Sequence, residues 1–259
     1  VSAQRNNTSN LQEFFRFNES SNEFESQNSF TTQTFSMSYM MLGTSFDALN
    51  APVYDSETYT RFLENRLVVS RRLAEQAQRT GTVDEFSVPD YSADLLGNPD
   101  SSNYGYRYYS VSSQQAMIPA FLAAYSGQDI ESFGLDPVKS TPLPNWQITY
   151  DGLGKMKMFR KYFNSFVINH SYRSTYTVGS MSTNLQRQKE EQDNPGEVPI
   201  SNNGDILPIN QIGSINLTEQ YAPLIGFNVK LKNNTTLRTE YKRDRNINLS
   251  MANNQITET

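Results

Sequence analysis

Cysteine is absent from this 259-residue sequence, and histidine occurs once, at His170. Without thiols the chain forms no disulfide and offers no cysteine nucleophile or cysteine-ligated zinc site. A lone histidine lacks the second imidazole or the triad partners that a metal site or a hydrolytic site would need. We therefore expect His170 to be an ordinary strand residue, and we expect no bound metal and no cofactor.

A positive net charge and long apolar runs are absent as well. The formal net charge is -5 at pH 7, so the chain lacks the basic surface that general nucleic-acid binding requires. Its best apolar run, Met117 to Tyr125, contains Pro119 and is far shorter than the ~18 residues of a transmembrane helix. The chain begins at Val1 rather than at Met and finishes on a polar segment, and we expect both ends to be processed or cut.

Two further enzyme motifs are incomplete. Gly152-Leu153-Gly154-Lys155 is superficially similar to a phosphate loop, but a Walker motif needs Gly at position 149 and Ser or Thr at position 156, where this chain has Thr149 and Met156. The acids of the long central segment could supply a glycosidase pair, but no spacing singles out two of them. These acids are Asp84, Glu85, Asp90, Asp94, Asp129, Glu131 and Asp136. We predict that the chain is not an enzyme, and we interpret Lys155 to Lys161 as a basic segment that could sit near phosphate-bearing headgroups.

Aromatic and small polar residues are what the chain has in plenty. It contains 15 Tyr and 15 Phe, yet hydrophobic residues make up only 36% of it and the mean hydropathy is -0.63. A soluble domain normally carries about 45–50% apolar residues. Aromatics separated by Asn, Ser, Thr and Gln are typical of a sheet with one apolar and one wet face. A polar soluble sandwich has the same composition, so composition alone leaves both folds open.

Alternation of apolar and polar residues predicts several strands. The strongest covers Asn164 to Met181 and exceeds the ~9–11 residues that cross a membrane as a tilted strand. Others are predicted over 30–42, 145–151, 215–231 and 236–252. Between the last two strands the pattern favours a three-residue loop, Asn233 to Thr235, which places Leu231 opposite Leu237.

Helical spacing occurs in the segment between the first two predicted strands. Asp55 to Arg79 carries an apolar stripe with i,i+4 ion pairs, and Gln114 to Tyr125 forms a second, shorter helix. The chain therefore divides into residues 1–29, a loop leading into the barrel; 30–42, a barrel strand; 43–144, a long helix-containing loop or cap; and 145–259, barrel strands with a long loop at 186–212.

Several runs of residues together indicate a family. They are Thr34-Phe35-Ser36-Met37-Ser38-Tyr39, Phe62-Leu63-Glu64-Asn65-Arg66, Ile118-Pro119-Ala120-Phe121-Leu122, Pro142-Leu143-Pro144-Asn145-Trp146, Thr149-Tyr150-Asp151-Gly152-Leu153, His170-Ser171-Tyr172-Arg173-Ser174-Thr175-Tyr176 and Thr218-Glu219-Gln220-Tyr221-Ala222-Pro223. In this order, and over most of residues 30–255, the chain resembles the SprA/Sov family, the giant outer-membrane translocon of the Bacteroidetes type 9 secretion system.

The resemblance implies a single-chain barrel of about 36 strands, the size of the largest barrels known, with a wide pore that exports folded proteins. Members of the family are several-fold longer, so this chain would be a portion near the C-terminal end. The implied partners are the remainder of its own barrel chain, a PorV-type outer-membrane barrel, a plug protein, the secreted cargo proteins and outer-membrane lipid. We thus predict an all-β-dominated fold, a portion of a very large antiparallel transmembrane β-barrel with long loops and an inserted helical segment.

This prediction assigns an environment to individual side chains. Expected to face lipid are Phe166, Ile168, Tyr172, Tyr176 and Val178. Expected to face the lumen are Asn169, Arg173 and Thr175. A cluster expected to form a cap or partner surface contains Tyr104, Tyr106, Tyr108 and Tyr109. We also expect long and short connections to alternate strictly, with the long ones at the cell surface and the short turns in the periplasm.

Two other readings remain open at this stage. The chain could be a β-rich cell-surface adhesin or glycan-binding module whose tyrosines line a sugar site. It could also be a portion of another large outer-membrane transporter barrel.

Overall fold

The computed structural model describes residues 1–47, 56–80, 105–106 and 108–259. Strands dominate this part of the chain. They are β1 (Arg5–Asn18), β2 (Glu23–Ser38), β3 (Gly105–Tyr106), β4 (Tyr109–Ser110), β5 (Trp146–Tyr150), β6 (Phe163–Thr183), β7 (Asn210–Leu231), β8 (Thr236–Ser250) and β9 (Gln255–Glu258). The helices are α1 (Glu57–Arg79), α2 (Gln114–Ser126), α3 (Lys157–Arg160) and α4 (Leu185–Asp193), and Gly152–Lys155 forms a 3-10 turn.

A seven-stranded antiparallel sheet frames the molecule, in the order β1-β2-β6-β7-β8-β9 with β5 paired to β6. β2 pairs with residues 175–182 of β6, and β5 pairs with residues 168–172 on the same edge. β2 and β5 therefore lie end to end along the same edge of β6, and residues 39–145 connect the end of β2 to the start of β5. The predicted cap at 43–144 is an insertion into the sheet rather than a connection between neighbouring strands.

The expected loop over residues 1–29 is wrong. β1 and β2 form a hairpin that pairs from Arg5–Met37 to Asn18–Glu23. Its turn is held by the Asn18 side chain, whose Oδ1 accepts from the Ser20 amide at 2.9 Å. The side chains of β1 are almost all exposed, so no buried face imposes an apolar alternation on this strand. Backbone pairing with β2 forms it instead, and that pairing leaves no composition signal.

The two long helices are confirmed with small shifts of their ends. α1 begins after Ser56, whose Oγ accepts from the Tyr59 amide at 3.3 Å. α2 ends at Gly127, which adopts a φ of 70°. A Cβ at Gly127 would lie 3.0 Å from Cα of Gly43, so this glycine also permits a close approach between the two segments. α2 is buried continuously from Ala116 to Ser126, as its low polarity predicts.

The core lies between these helices and one face of the sheet, in a two-layer arrangement. From the sheet it contains Phe35, Met37, Tyr176, Val178, Ile212, Ile215, Leu217, Ile247 and Leu249. From the helices it contains Phe62, Val69, Met117, Ile118, Phe121, Leu122 and Tyr125.

The helices cover only the half of the sheet that includes residues 172–183 of β6. We call this the capped half, and we call the rest, which includes β5 and residues 163–170 of β6, the bare half.

The β7–β8 loop has the predicted length but lies one residue earlier. The Leu231 amide bonds to the Thr235 carbonyl at 2.8 Å, which closes a loop of residues 232–234. Val229, rather than Leu231, is consequently opposite Leu237. Asn234 has a φ of 64°, the left-handed conformation that the loop needs.

The expected strict alternation of long and short connections is wrong. The turn at 19–22, the segment 184–209 and the turn at 251–254 all lie at the capped end of the sheet, and residues 151–162 and the 232–234 loop lie at the bare end. Long and short connections therefore share the capped end. The expected long loop at 186–212 is also partly structured, because it includes α4 and the first residues of β7.

Among the described residues, no helix is both long enough and apolar enough to cross a membrane.

Candidate functional site

The two faces of the sheet differ in polarity along its whole length. The face that carries the core, here the apolar face, continues into the bare half as Ile148, Tyr150, Phe166, Ile168, Ile225, Phe227, Val229, Leu237 and Tyr241. Several of these side chains are open to solvent: Ile148 is 54%, Leu237 59% and Tyr241 60% exposed. A contiguous exposed apolar surface of this kind marks a place where the protein meets another apolar phase or partner.

The opposite face, here the polar face, consists mainly of hydroxyl, amide and charged side chains, with Val167 opposite Asn228 as an apolar exception. Its pairing rows include Arg173–Gln220–Asp244, Thr175–Thr218–Asn246 and Thr177–Asn216–Asn248. Some of the rows are hydrogen-bonded across strands: Asn248 Nδ2 donates to Asn216 Oδ1 at 2.5 Å, and Thr149 Oγ1 donates to Asn169 Oδ1 at 3.1 Å. The sheet is therefore amphipathic, and its longest strands, β6 and β7, have 21 and 22 residues.

Five residues expected to face lipid share the apolar face, but they fall into two groups. Phe166 and Ile168 lie in the bare half and are partly exposed. Tyr172, Tyr176 and Val178 lie in the capped half and are 1%, 0% and 0% exposed. For these three the expected lipid contact is wrong, because the same chain covers them. Tyr176 and Val178 belong to the core shared with the helices, and Tyr172 is covered by Trp146, Tyr221 and the start of the inserted segment at Met41. Alternation indicates that a face is to be covered but carries no information about what covers it.

The three residues expected to face the lumen lie on the polar face. Arg173 is exposed, and Asn169 and Thr175 are partly exposed. What this face meets stays a prediction.

The tyrosines expected to form a cap or partner surface are held by packing. Tyr106, Tyr108 and Tyr109 are half-buried around the β3–β4 hairpin. The Tyr106 amide donates to Ser70 Oγ of α1 at 2.7 Å, and the Ile206 amide donates to the carbonyl of Tyr108 at 3.0 Å. Tyr104 lies outside the described residues. The hairpin thus joins α1 to the segment that follows α4, and only part of each described ring is exposed.

A row of aromatic rings marks the boundary between the capped and bare halves on the apolar face. Trp146 stacks on Tyr172 with ring centroids 4.5 Å apart, and Tyr172 contacts Tyr221 at 5.1 Å. Phe46 extends the row beyond Tyr221 at 5.7 Å. Sequence reasoning missed this row because its members come from four separate segments that only the pairing register brings together.

A buried polar cluster lies just inside this boundary. Glu219 is 2% exposed and its Oε1 accepts from Ser45 Oγ at 2.6 Å and from the Tyr172 hydroxyl at 2.9 Å. The Tyr172 hydroxyl in turn accepts from the Met41 amide at 3.0 Å. Opposite Glu219 in the register, Arg245 donates to the Thr44 carbonyl at 2.9 Å. These bonds fasten the first turn of the inserted segment to the sheet.

In the described part of the chain, no group of three or more His, Cys, Asp or Glu side chains could hold a metal ion. The Nδ1 atom of His170 lies 2.7 Å from the carbonyl oxygen of Leu224, within hydrogen-bond distance.

No protein-family model matches the chain. No curated protein matches it either.

Proposed function

We propose that this chain forms a stretch of the wall, with an attached helical cap, of an outer-membrane β-barrel that conducts folded proteins. The observation that carries the proposal is the amphipathic sheet, whose bare half exposes an apolar band on one face while the other face is mainly polar. Membrane barrels have this division, with an apolar outer surface and a polar interior.

The dimensions of the bare half support a bilayer crossing. From Phe163 to Tyr172, where the aromatic row marks the boundary with the capped half, β6 has ten residues, which at about 3.3 Å each and a tilt of about 45° span roughly 23 Å of height. The apolar band of a membrane barrel is about 25 Å tall. The aromatic row at Trp146, Tyr172 and Tyr221 lies at one limit of this band, where barrels carry aromatic girdles. The capped half would then project beyond the bilayer.

The edges of the sheet support a larger assembly. In the described chain the bare half has two open edges, because β5 pairs only with β6 and residues 236–241 of β8 pair only with β7. Open edges are not tolerated in lipid, so a wall of this kind needs further strands. The resemblance to the SprA/Sov family would supply them from the remainder of a very large barrel chain. A protein cargo, a PorV-type partner and a plug protein rest on that resemblance alone.

The location of the cap supports an orientation. The inserted helices and the segment 184–209 lie at the same end of the sheet, and the short 232–234 loop lies at the other. Bacterial barrels keep short turns in the periplasm and long segments at the cell surface. The cap is therefore proposed to lie outside the cell.

Depth-dependent fluorescence quenching tests the membrane assignment, because Trp146 is the only tryptophan. The chain is placed in bicelles whose lipids carry bromine either near the glycerol end or near the middle of the acyl chain. We expect Trp146 to be quenched more by the shallow bromine. In a Trp146→Phe background, Ile168→Trp should be quenched more by the mid-chain bromine.

The matched control is Asn169→Trp in the same background, which moves the probe to the polar face and should escape both quenchers. Equal quenching of positions 168 and 169, or no quenching of either, would contradict the proposal. The second outcome would favour a soluble glycan-binding module.

A further inference from the structure

The segment between β5 and β6 concentrates positive charge in a chain whose net charge is -5. Within residues 155–162 it carries Lys155, Lys157, Arg160 and Lys161, interleaved with Met156, Met158 and Tyr162. The apolar members are exposed, Met158 by 68% and Tyr162 by 60%. We call residues 155–162 the basic turn.

The basic turn is fixed to the end of the bare half. Phe159 of α3 contacts Phe163 and Phe166 with ring centroids 6.0 and 5.8 Å apart, and Phe166 contacts Phe227 of β7. The Lys232 amide donates to the Tyr162 carbonyl at 3.1 Å, which joins the turn to the β7–β8 loop. The exposed Met and Tyr side chains are thus held beside the apolar band, at the end opposite the aromatic row.

The cations of the basic turn are largely unneutralised. Lys155 pairs with Asp151 at 3.0 Å. Lys157, Arg160 and Lys161 have no carboxylate within ion-pair distance in the part of the chain that the structure describes. Long cationic side chains beside exposed apolar ones are characteristic of a membrane interface, where the stems contact acyl chains and the heads reach phosphate.

We infer that the basic turn binds the phosphate groups of anionic phospholipids at the bilayer surface opposite the cap. The inference rests on the proposed function, since it needs the bare half to be in a membrane. Met156, Met158 and Tyr162 would enter the boundary between headgroups and acyl chains, while Lys157, Arg160 and Lys161 contact phosphate. Anionic headgroups attract basic residues near the surface with about 1 kcal/mol per cation.

Vesicle binding of the whole chain tests this inference. Partition is measured by flotation with phosphatidylcholine vesicles and with vesicles that also contain phosphatidylglycerol. The variant Lys157→Gln/Arg160→Gln/Lys161→Gln should lose the preference for anionic vesicles by on the order of tenfold to a hundredfold, and its binding to phosphatidylcholine should change little. The matched control Arg16→Gln/Arg79→Gln/Lys189→Gln removes the same charge from exposed sites elsewhere and should keep the preference.

The possible results separate the inference from the proposed function. If the first variant keeps its anionic preference, or if the control loses as much, the inference is overturned while membrane binding of the chain still stands. If the unmodified chain binds neither kind of vesicle, the proposed function fails and the inference with it.

Discussion

At the residue scale, Glu219 shows how an inserted segment is fastened to a sheet. A carboxylate that is almost completely buried needs donors to offset its desolvation. Ser45 and Tyr172 supply two of them, and both come from outside the strand that carries Glu219. The hydrogen bonds that offset the desolvation of this carboxylate therefore also fix the segment that begins the cap.

Replacing this carboxylate should weaken the attachment. Glu219→Ala leaves the buried Tyr172 hydroxyl without this acceptor and leaves the Ser45 hydroxyl with only the Met41 carbonyl, which costs about 1–3 kcal/mol. The cost is measured as a lower urea midpoint of unfolding in bicelles. Gln220→Ala, on the exposed polar face one residue away, should stay within about 0.5 kcal/mol. Equal effects of the two changes would contradict the attachment role.

Lys139 provides a pH-dependent contact in the cap. Its Nζ donates to the Gly134 carbonyl at 2.6 Å and lies 4.0 Å from the centroid of the Phe133 ring. Burial lowers the pKa of Lys139 from its ordinary value of 10.5 to about 8, with nearby Asp136 opposing this shift and Arg72 adding to it.

The sign of the pH effect follows from this lowered pKa. Between pH 8 and 10.5 the unfolded chain holds a proton at Lys139 that the folded chain has released, so stability should rise with pH in this window. Lys139→Met should flatten the rise, as measured from thermal unfolding midpoints across that range. An unchanged slope in the variant would show that Lys139 is not the group responsible.

At the element scale, the sequence predicted the long elements that have a buried face and missed β1, which has none. The alternation over 164–181 and the helical stripe over 55–79 correspond to β6 and α1, because each buries one side of itself. β1 buries neither side, and the sequence predicts a loop there. The continuation of β2 by β5 was also out of reach, since it depends on where two segments more than a hundred residues apart pair with β6.

The β7–β8 loop permits a test of backbone conformation. Because Asn234 has a positive φ, Asn234→Ala should destabilise the chain by about 1–2 kcal/mol. Asn234→Gly should be neutral or slightly stabilising, since glycine adopts this conformation freely. Urea midpoints of the two variants give the comparison. A glycine variant no more stable than the alanine variant would contradict the role given to the positive φ of residue 234.

At the scale of the whole molecule, the two faces of the sheet differ in polarity. The sequence identified which residues share a face, and the pairing of β6 supports that division. It did not identify the cover over Tyr172, Tyr176 and Val178, which comes from the inserted segment and, for Tyr172, from the neighbouring rings of Trp146 and Tyr221. The proposed membrane surface is consequently restricted to the bare half, and the two halves of one strand have different surroundings.

A pair of adjacent substitutions tests this restriction. Ile168→Arg places a charge in the middle of the proposed apolar band and should cost ~2–4 kcal/mol in a bilayer. Asn169→Arg places the same charge on the polar face and should be tolerated. Refolding yields and urea midpoints in bicelles report both. A cost that is equal at the two positions would contradict the assignment of faces.

Protease accessibility in intact cells tests the orientation of the whole molecule. Residues 194–197 and the 232–234 loop are both exposed in the structure, so a broad-specificity protease should cut both in the isolated chain. They lie at opposite ends of the sheet, the first beside the cap and the second beside the basic turn.

If the cap is at the cell surface, protease added to intact cells should cut within 194–197 and leave the 232–234 loop intact until the outer membrane is permeabilised. Cleavage of the 232–234 loop alone in intact cells would reverse the orientation. Cleavage of both sites would place both ends of the sheet on the same side, which a strand that crosses the bilayer does not allow.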